Sequence, residues 1–491
     1  MSDTGPTDPG DLDPVDWQDF EAQTQRVLNA AIEKLRLARE GRVWTPPPED
    51  LKAELTAPLP KTGLRIDAVA DRLERLLPYG VGNTHPRFFG WVHGAGSPGN
   101  LLAEIVGAAM NANCGGRDHI AIYVERQVID WCKSLFGFPA PTSGLVVSGT
   151  SMATIIAAKT ARDSAFDFVS RAEGVGDAKL VGYVSEQAHS CLARAFDMIG
   201  LGTGALRIVP VTKTYEIDVE ALSNQVARDR ADGFQPFFLA GTVGTVNTGA
   251  IDDLGALADL AAREELWFHV DGAFGACAMT HPDLAPGLTG SERADSLAFD
   301  FHKWMHVNYD AGCVLIRDGD AHRKAFASRP DYLAADGEAL AAGNPWPVDF
   351  GPELSRGFRA LKVWAHLLEH GTDKIGRSIA KNCDQAAYLG EQVSAHAQFE
   401  LMAPVSLNIC CFRFCPDGRS EAQLDDLNQR LVAWIQKEGI AAPSTPRLHG
   451  RLAIRVNITN HRTRQSDLDI LLAALAKGGA ALVAELNNPV A

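Results

Sequence analysis

From about residue 100 to residue 320, short apolar runs alternate with longer stretches of helical spacing, and this alternation narrows the possible folds more than any other feature. "LLAEIVGAAMNA" and "IYVERQVIDWCKSLFG" read as helices, "GLVVS" (144–148) as a strand and "SMATIIAAKTARDSAF" as a helix. "KLVGYVS" (179–185) is a further strand, followed by the helix "SCLARAFDMIG". "PFFLAG" leads to the helix "IDDLGALADLAAREE" and the strand "LWFHVD"; Leu297–Phe299 and Cys313–Ile316 read as buried strands. Strands separated by helices lie parallel with both faces covered, so the expected class is α/β. Ligands in such sheets bind beyond the carboxyl ends of the strands. The residues just past each strand are therefore the informative ones.

Beyond "LSRGFRALKVWAHLLEHG" the pattern changes to strand-like "NICCFRFC" and "RLAIRVNIT" with helices at 421–438 and 466–485, a smaller α+β domain. The amphipathic run "DFEAQTQRVLNAAIEKLRLAREG", with Gly41 as its C-cap, precedes the proline-stiffened connector "VWTPPPEDL". The expected division is residues 1–95, an N-terminal segment wrapped on a partner surface; 96–370, a large ligand-binding domain; and 371–491, a small C-terminal domain.

A formal net charge of −15 argues against nucleic acid or an anionic membrane as the main partner. No apolar run approaches the roughly 18 residues of a membrane span. "MSDTGPTDPGDLDPVD" lacks the basic and apolar regions of a signal peptide and reads as a flexible leader. The expected location is cytoplasmic, with the nine cysteines reduced. Cys410, Cys411 and Cys415 read as small buried hydrophobes, and no metal site is expected.

Four strand ends carry polar groups. Gly149-Thr150-Ser151 opens a helix after "GLVVS" and offers backbone N–H groups and hydroxyls to an anion. His189 follows the second strand; alone it reads as a loop residue. Asp271 ends an apolar strand, where a carboxylate needs a cationic or hydrogen-bonded partner. Lys303, between His302 and Trp304, sits at the end of another strand, where burial disfavours its charged form. An anion cradle, a flat side chain, a buried carboxylate and a desolvated amine on one sheet edge are the parts that pyridoxal phosphate requires. Lys303 is thus expected to be uncharged and covalently occupied.

Seven stretches carry a resemblance: "HPRFFGWV" (85–92), "SGTSMATIIAAKTAR" (148–162), "SEQAHSCLARA" (185–195), "GTVGTVNTGAIDDL" (241–254), "WFHVDGAFG" (267–275), "DFHKWMHVNYDAG" (300–312) and "RGFRALKVW" (356–364). On these the chain resembles the group II pyridoxal-phosphate-dependent decarboxylases, among them aromatic-L-amino-acid decarboxylase. The resemblance implies fold type I, that of the aspartate aminotransferases, and a homodimer with sites at the subunit interface. It also implies an amino-acid substrate that loses CO₂ to give an amine. Lys303 would form the Schiff base, Asp271 would meet the pyridine nitrogen, His189 would stack on the ring and Ala273 would pack against its other face. Thr150, Ser151 and His302 would hold the phosphate, with Thr245 nearby. Trp91, His93, Arg117 and Arg455 would face the substrate.

Position 300 is Asp where the aromatic decarboxylases carry Asn, and a second negative charge near phosphate is unfavourable unless it faces away or meets a cation. Clean decarboxylation in the family uses a loop tyrosine shortly before "RGFRALK". Here "GNPWPVDFGPELSRGFR" has none, and Tyr332, in "RPDYL", is assigned a different structural role. Oxidative deamination to an aldehyde is therefore an alternative product. His93, Asn113 and Arg117 suggest a substrate with a polar or acidic side chain. Two rival readings are a zinc peptidase using "HLLEH" (366–370) and a non-catalytic binding protein. "GLGTGA" (200–205) follows a helix and precedes a strand, the wrong order for a dinucleotide fingerprint.

Overall fold

A computed structural model describes residues 10–328 and 338–487. Its centre is a seven-stranded sheet: β1 (Ser143–Val147), β2 (Leu180–Ser185), β3 (Leu206–Val209), β4 (Gln235–Thr242), β5 (Trp267–Asp271), β6 (Ser296–Asp300) and β7 (Gly312–Ile316). Their order is β1-β7-β6-β5-β4-β2-β3. Neighbours pair in parallel from β3 through to β6, whereas β7 runs antiparallel to both β6 and β1. Every residue of β2, β6 and β7 is buried. That is the behaviour of continuous apolar runs covered on both faces. The alternating reading of 144–300 is thus realised, and the carboxyl ends of β1, β2, β4, β5 and β6 share one edge with the start of β7.

The helix Thr150–Ser164 crosses the face of β6 and β7. Gly312 permits this approach: a Cβ there would stand 2.6 Å from the Gly149 Cα and 2.7 Å from Asp300 Oδ1. The connection 301–311 between β6 and β7 carries Lys303. It is fixed by fully buried Trp304, whose indole donates to Asn382 Oδ1 at 3.0 Å on the long helix Arg359–Ala395. That helix breaks at Gly371, where φ is 65°.

A separate three-stranded antiparallel sheet, with Ile409–Phe414 between Phe399–Leu401 and Ile454–Asn457, forms the small α+β unit. Glu421–Lys437, opened by a Ser420–Gln423 capping box, and Gln465–Asn487 pack with it. Cys410 and Cys411 are buried there as expected, but Cys415, just past the strand, is only half-buried.

At the N-terminus the first helix is Trp17–Arg36, capped by Leu37. Gly41 has the left-handed φ of a capping glycine, 77°, but lies beyond an intervening turn. Asp16 caps its start, and Leu37–Gly41 forms turns before the prolines. The connector docks on its own chain: Val43 packs with Phe88 and Ala442, and its N–H donates to the Gly439 carbonyl at 2.9 Å. Arg26 ties the first helix to Ile66–Leu76 through Glu74 (2.8 Å) and Asp71 (2.6 Å). No residue of Trp17–Arg36 is buried, and Leu102, Ile105, Val106, Met110 and Ile120 are also exposed. No helix among the described residues is long and apolar enough to cross a membrane.

Candidate active site

The strand ends converge on a cavity of about 500 Å³. Its walls include Thr150 and Ser151 after β1, His189 after β2, Asp271 and Ala273 from β5, and Asp300, His302 and Lys303 from β6 onward. Trp91, His93, Tyr309 and Arg455 complete it. Thr245 does not reach the cavity; it is fully buried and its hydroxyl pairs with that of Thr248 at 2.9 Å. Arg117 is also placed elsewhere, with Asn113 in another hollow, where its guanidinium lies 4.8 Å from the Trp346 ring centroid. The φ of 88° at Arg117 and the adjacent glycines turn this loop away from the strand ends. Tyr332 lies outside the described residues.

Asp300 organises the inner end. Its Oδ1 accepts from the Thr150 backbone N–H at 2.6 Å, at the start of the helix Thr150–Ser164, and its Oδ2 lies 2.8 Å from Lys303 Nζ. His302 Nε2 is 3.7 Å from the same oxygen, while its Nδ1 accepts from the Ala311 N–H at 3.1 Å. In the free amine this pairing opposes the effect of burial. Burial pulls the amine down, but Asp300, by charge and hydrogen bond, and Asp271, by charge, more than offset it and hold Lys303 above the ordinary lysine value. The extra negative charge at position 300 has met its cation.

Asp271 is buried at the end of β5, accepting from the Ala273 N–H at 3.1 Å, with the Cys191 thiol 3.8 Å from its Oδ2. Burial pushes its carboxyl up, while Lys303 and the Ala273 N–H pull it back. His189 accepts from the Cys191 N–H through Nδ1 at 3.2 Å, and burial lowers its imidazole, favouring the neutral ring. The His302 ring is depressed by burial too, and lies against Tyr309 with centroids 4.3 Å apart.

A family model described as "Pyridoxal-dependent decarboxylase conserved domain" matches residues 48–415. The chain belongs to the pyridoxal-dependent decarboxylases. It is 32% identical to an aromatic-L-amino-acid decarboxylase of Bacillus atrophaeus over 431 residues, spanning 85% of this chain and 86% of the relative. A phenylacetaldehyde synthase of Petunia hybrida is 30% identical over 386 residues, 73% of this chain and 74% of the relative. The crystal structure of Oryza sativa TDC with PLP and tryptamine superposes with a TM-score of 0.88 at 24% identity, covering 96% of this chain and 100% of that one. This decarboxylase therefore has the fold type I architecture, and pyridoxal phosphate is its cofactor.

The residues present fit that cofactor. Thr150 Oγ1 is buried without a hydrogen-bond partner beside a helix N-terminus, as is Thr242 Oγ1 on the same wall. Orphaned buried hydroxyls are rare and point to a polar ligand. The "HLLEH" rival loses its support: His366 Nδ1 faces Ser97 Oγ at 3.0 Å, and among the described residues no three His, Cys, Asp or Glu side chains are grouped to hold a metal. Sequence reasoning missed Tyr309 and Cys191 in this decarboxylase. Both stood inside the motifs that carry the resemblance, but their contact with His302 and Asp271 depends on how loops fold back.

Proposed function

We propose that this enzyme of amino-acid metabolism decarboxylates an L-amino acid bearing a polar or acidic side chain, releasing the amine. The arrangement that carries this reading is Lys303 at the inner end of the cavity, with Asp271 on the neighbouring strand and the unpartnered Thr150 hydroxyl at the helix start. When bound, pyridoxal phosphate supplies a cationic ring that accepts the electron pair of the bond being broken. Lys303 anchors the cofactor's aldehyde carbon. Asp271 would keep a proton on the pyridine nitrogen, and His189 and Ala273 would contact the ring. Thr150, Ser151 and His302 receive the phosphate, while Thr245 supports the wall from behind.

Arg455 supports the choice of substrate. Its side chain is buried between the cavity and a second hollow of about 450 Å³, with both lined also by Trp91 and Val246. Its hydrogen bonds go to Ser444 Oγ at 3.1 Å and to the Val246 carbonyl. A buried guanidinium held by neutral acceptors suits a substrate acid group. That group is the side chain's: gripping the α-carboxylate would stabilise the ground state of a bond that must lose its charge. His93 adds a buried Nδ1 without a partner. Arg117 reaches no wall of this cavity, so its contribution requires the second subunit of the proposed homodimer, docked on the exposed apolar residues of the N-terminal segment and of 102–120.

The second reading is the aldehyde product, favoured by the phenylacetaldehyde synthases among the relatives. A panel of L-amino acids assayed for CO₂, amine, aldehyde and ammonia separates the two. Amine without ammonia is expected from polar or acidic substrates. Exclusive use of phenylalanine or tryptophan refutes the substrate class, and aldehyde in step with CO₂ refutes the product.

A further inference from the structure

Cys191 touches two of the residues assigned to the cofactor's ring. It opens the helix Cys191–Met198 after β2 and lines the active-site cavity, where it is 2% exposed. Its backbone N–H donates to His189 Nδ1 at 3.2 Å and so fixes the orientation of that imidazole. Its Sγ lies 3.8 Å from Asp271 Oδ2, while Asp271 Oδ1 takes the Ala273 N–H. On the other side the sulfur stands 4.0 Å from the hydroxyl of Thr154, which is fully buried in the helix Thr150–Ser164.

The direction of this chain follows from its members. An ionised carboxylate only accepts, whereas a thiol both accepts and donates. Thr154 Oγ1 therefore donates to Cys191 Sγ, and Cys191 Sγ donates to Asp271 Oδ2. Burial and the negative charge of Asp271 both push the thiol up, so it keeps its proton and remains a donor. The chain joins the helix whose start forms the anion seat to the carboxylate that ends β5. An independent observation marks the same wall as facing a polar ligand. Thr242, the β4 partner of Asp271, keeps its hydroxyl buried in the cavity without a hydrogen bond.

We propose that Cys191 is a positioning residue whose thiol, backed by Thr154, holds the Asp271 carboxylate in the orientation that meets the ring nitrogen of pyridoxal phosphate. With Oδ1 on the Ala273 N–H and Oδ2 on the thiol, the carboxylate is fixed against rotation about its last bond. The inference rests on Asp271 as the partner of the ring nitrogen and is independent of the amino-acid substrate.

Cys191→Thr and Cys191→Val test it, since the two replacements match in shape and only threonine carries a donor. Each apo-protein is titrated with pyridoxal phosphate and with its deaza analogue, in which carbon replaces the ring nitrogen. Dissociation constants are read from the quenching of tryptophan fluorescence. Cys191→Val should bind pyridoxal phosphate about tenfold more weakly than Cys191→Thr, the effect of one weak hydrogen bond to a charged group. With the deaza analogue, which offers Asp271 no ring N–H, the two should bind equally. Equal affinity for pyridoxal phosphate overturns the proposal. So does the same gap with both ligands, which is the mark of packing alone. Should either variant not fold, Thr154→Val is compared with the wild type in the same titrations. A loss confined to pyridoxal phosphate is expected there, and no loss or an equal loss with both ligands overturns the proposal. Asp271→Ala binding both ligands as the wild type does is a different result, and overturns the assignment of Asp271 beneath it.

Discussion

Lowering the pH from 7 to 5 should destabilise this protein through its buried histidines, of which three illustrate the effect. His269 in β5, His322 and His366 each engage one hydroxyl through Nδ1, those of Ser296 (2.9 Å), Ser143 (2.7 Å) and Ser97 (3.0 Å). The Nε2 of His269 is buried without a partner. Burial pulls His269 and His322 down to about 3 and His366 to about 4. In the unfolded chain the same rings titrate near 6.5. Below that pH the unfolded state binds protons that the folded state refuses, so stability is complete above 6.5 and is lost as pH falls toward the folded values. Each ring contributes a slope of about 1.4 kcal/mol per pH unit, which amounts to roughly 2 kcal/mol between pH 7 and 5 and about 6 kcal/mol for the three. A domain's whole stability is of that order. Urea unfolding followed by tryptophan fluorescence should show the midpoint falling by roughly 1–2 M, for a slope of a few kcal/mol/M. His322→Gln should remove roughly 2 kcal/mol of that loss, the share of one ring. A midpoint level from pH 7 to 5, or a loss unaltered in His322→Gln, refutes the reasoning.

Asp271→Asn should still bind the cofactor but lose ~10²–10⁴-fold in kcat, measured as CO₂ release, because the ring proton loses its counter-charge. Arg356 donates to Glu125 at 2.7 and 3.0 Å, and to the Cys114 and Val146 carbonyls, so Arg356→Met strands a buried carboxylate. The expected cost is about 3–5 kcal/mol, read as a lowered unfolding midpoint, with Glu125→Gln in the same chain recovering part of it. Replacing exposed Leu102 and Val106 by Glu should convert the proposed dimer to monomer in light scattering and abolish activity together with assembly.

The sheet was legible because its strands are unbroken apolar runs between helices, and each strand end was marked by a polar residue that a core would reject. The reversal of β7 was not legible, since "CVLI" reads equally well in either direction and its place between β1 and β6 is decided by non-local pairing. The cavity residues that end strands, Thr150, Asp271 and Lys303, were found for that reason. Thr245 and Arg117 were placed by resemblance alone, and local backbone geometry sends one behind the wall and the other to a different hollow. The pairing of Lys303 with Asp300 was not legible from burial alone. A carboxylate three residues away was visible in "DFHK", but its rotation toward the amine comes from the Thr150 N–H, contributed by a distant helix.

Because β7 turns back beside β6, the segment bearing Lys303 is closed at both ends by one rung of the ladder, Asp300 facing Gly312. Lengthening it by one residue would shift the amine by about 3 Å, most of a bond-forming distance. Substrate preference is then left to side chains replaced at fixed backbone length, such as Trp91, His93 and Arg455 on the cavity wall.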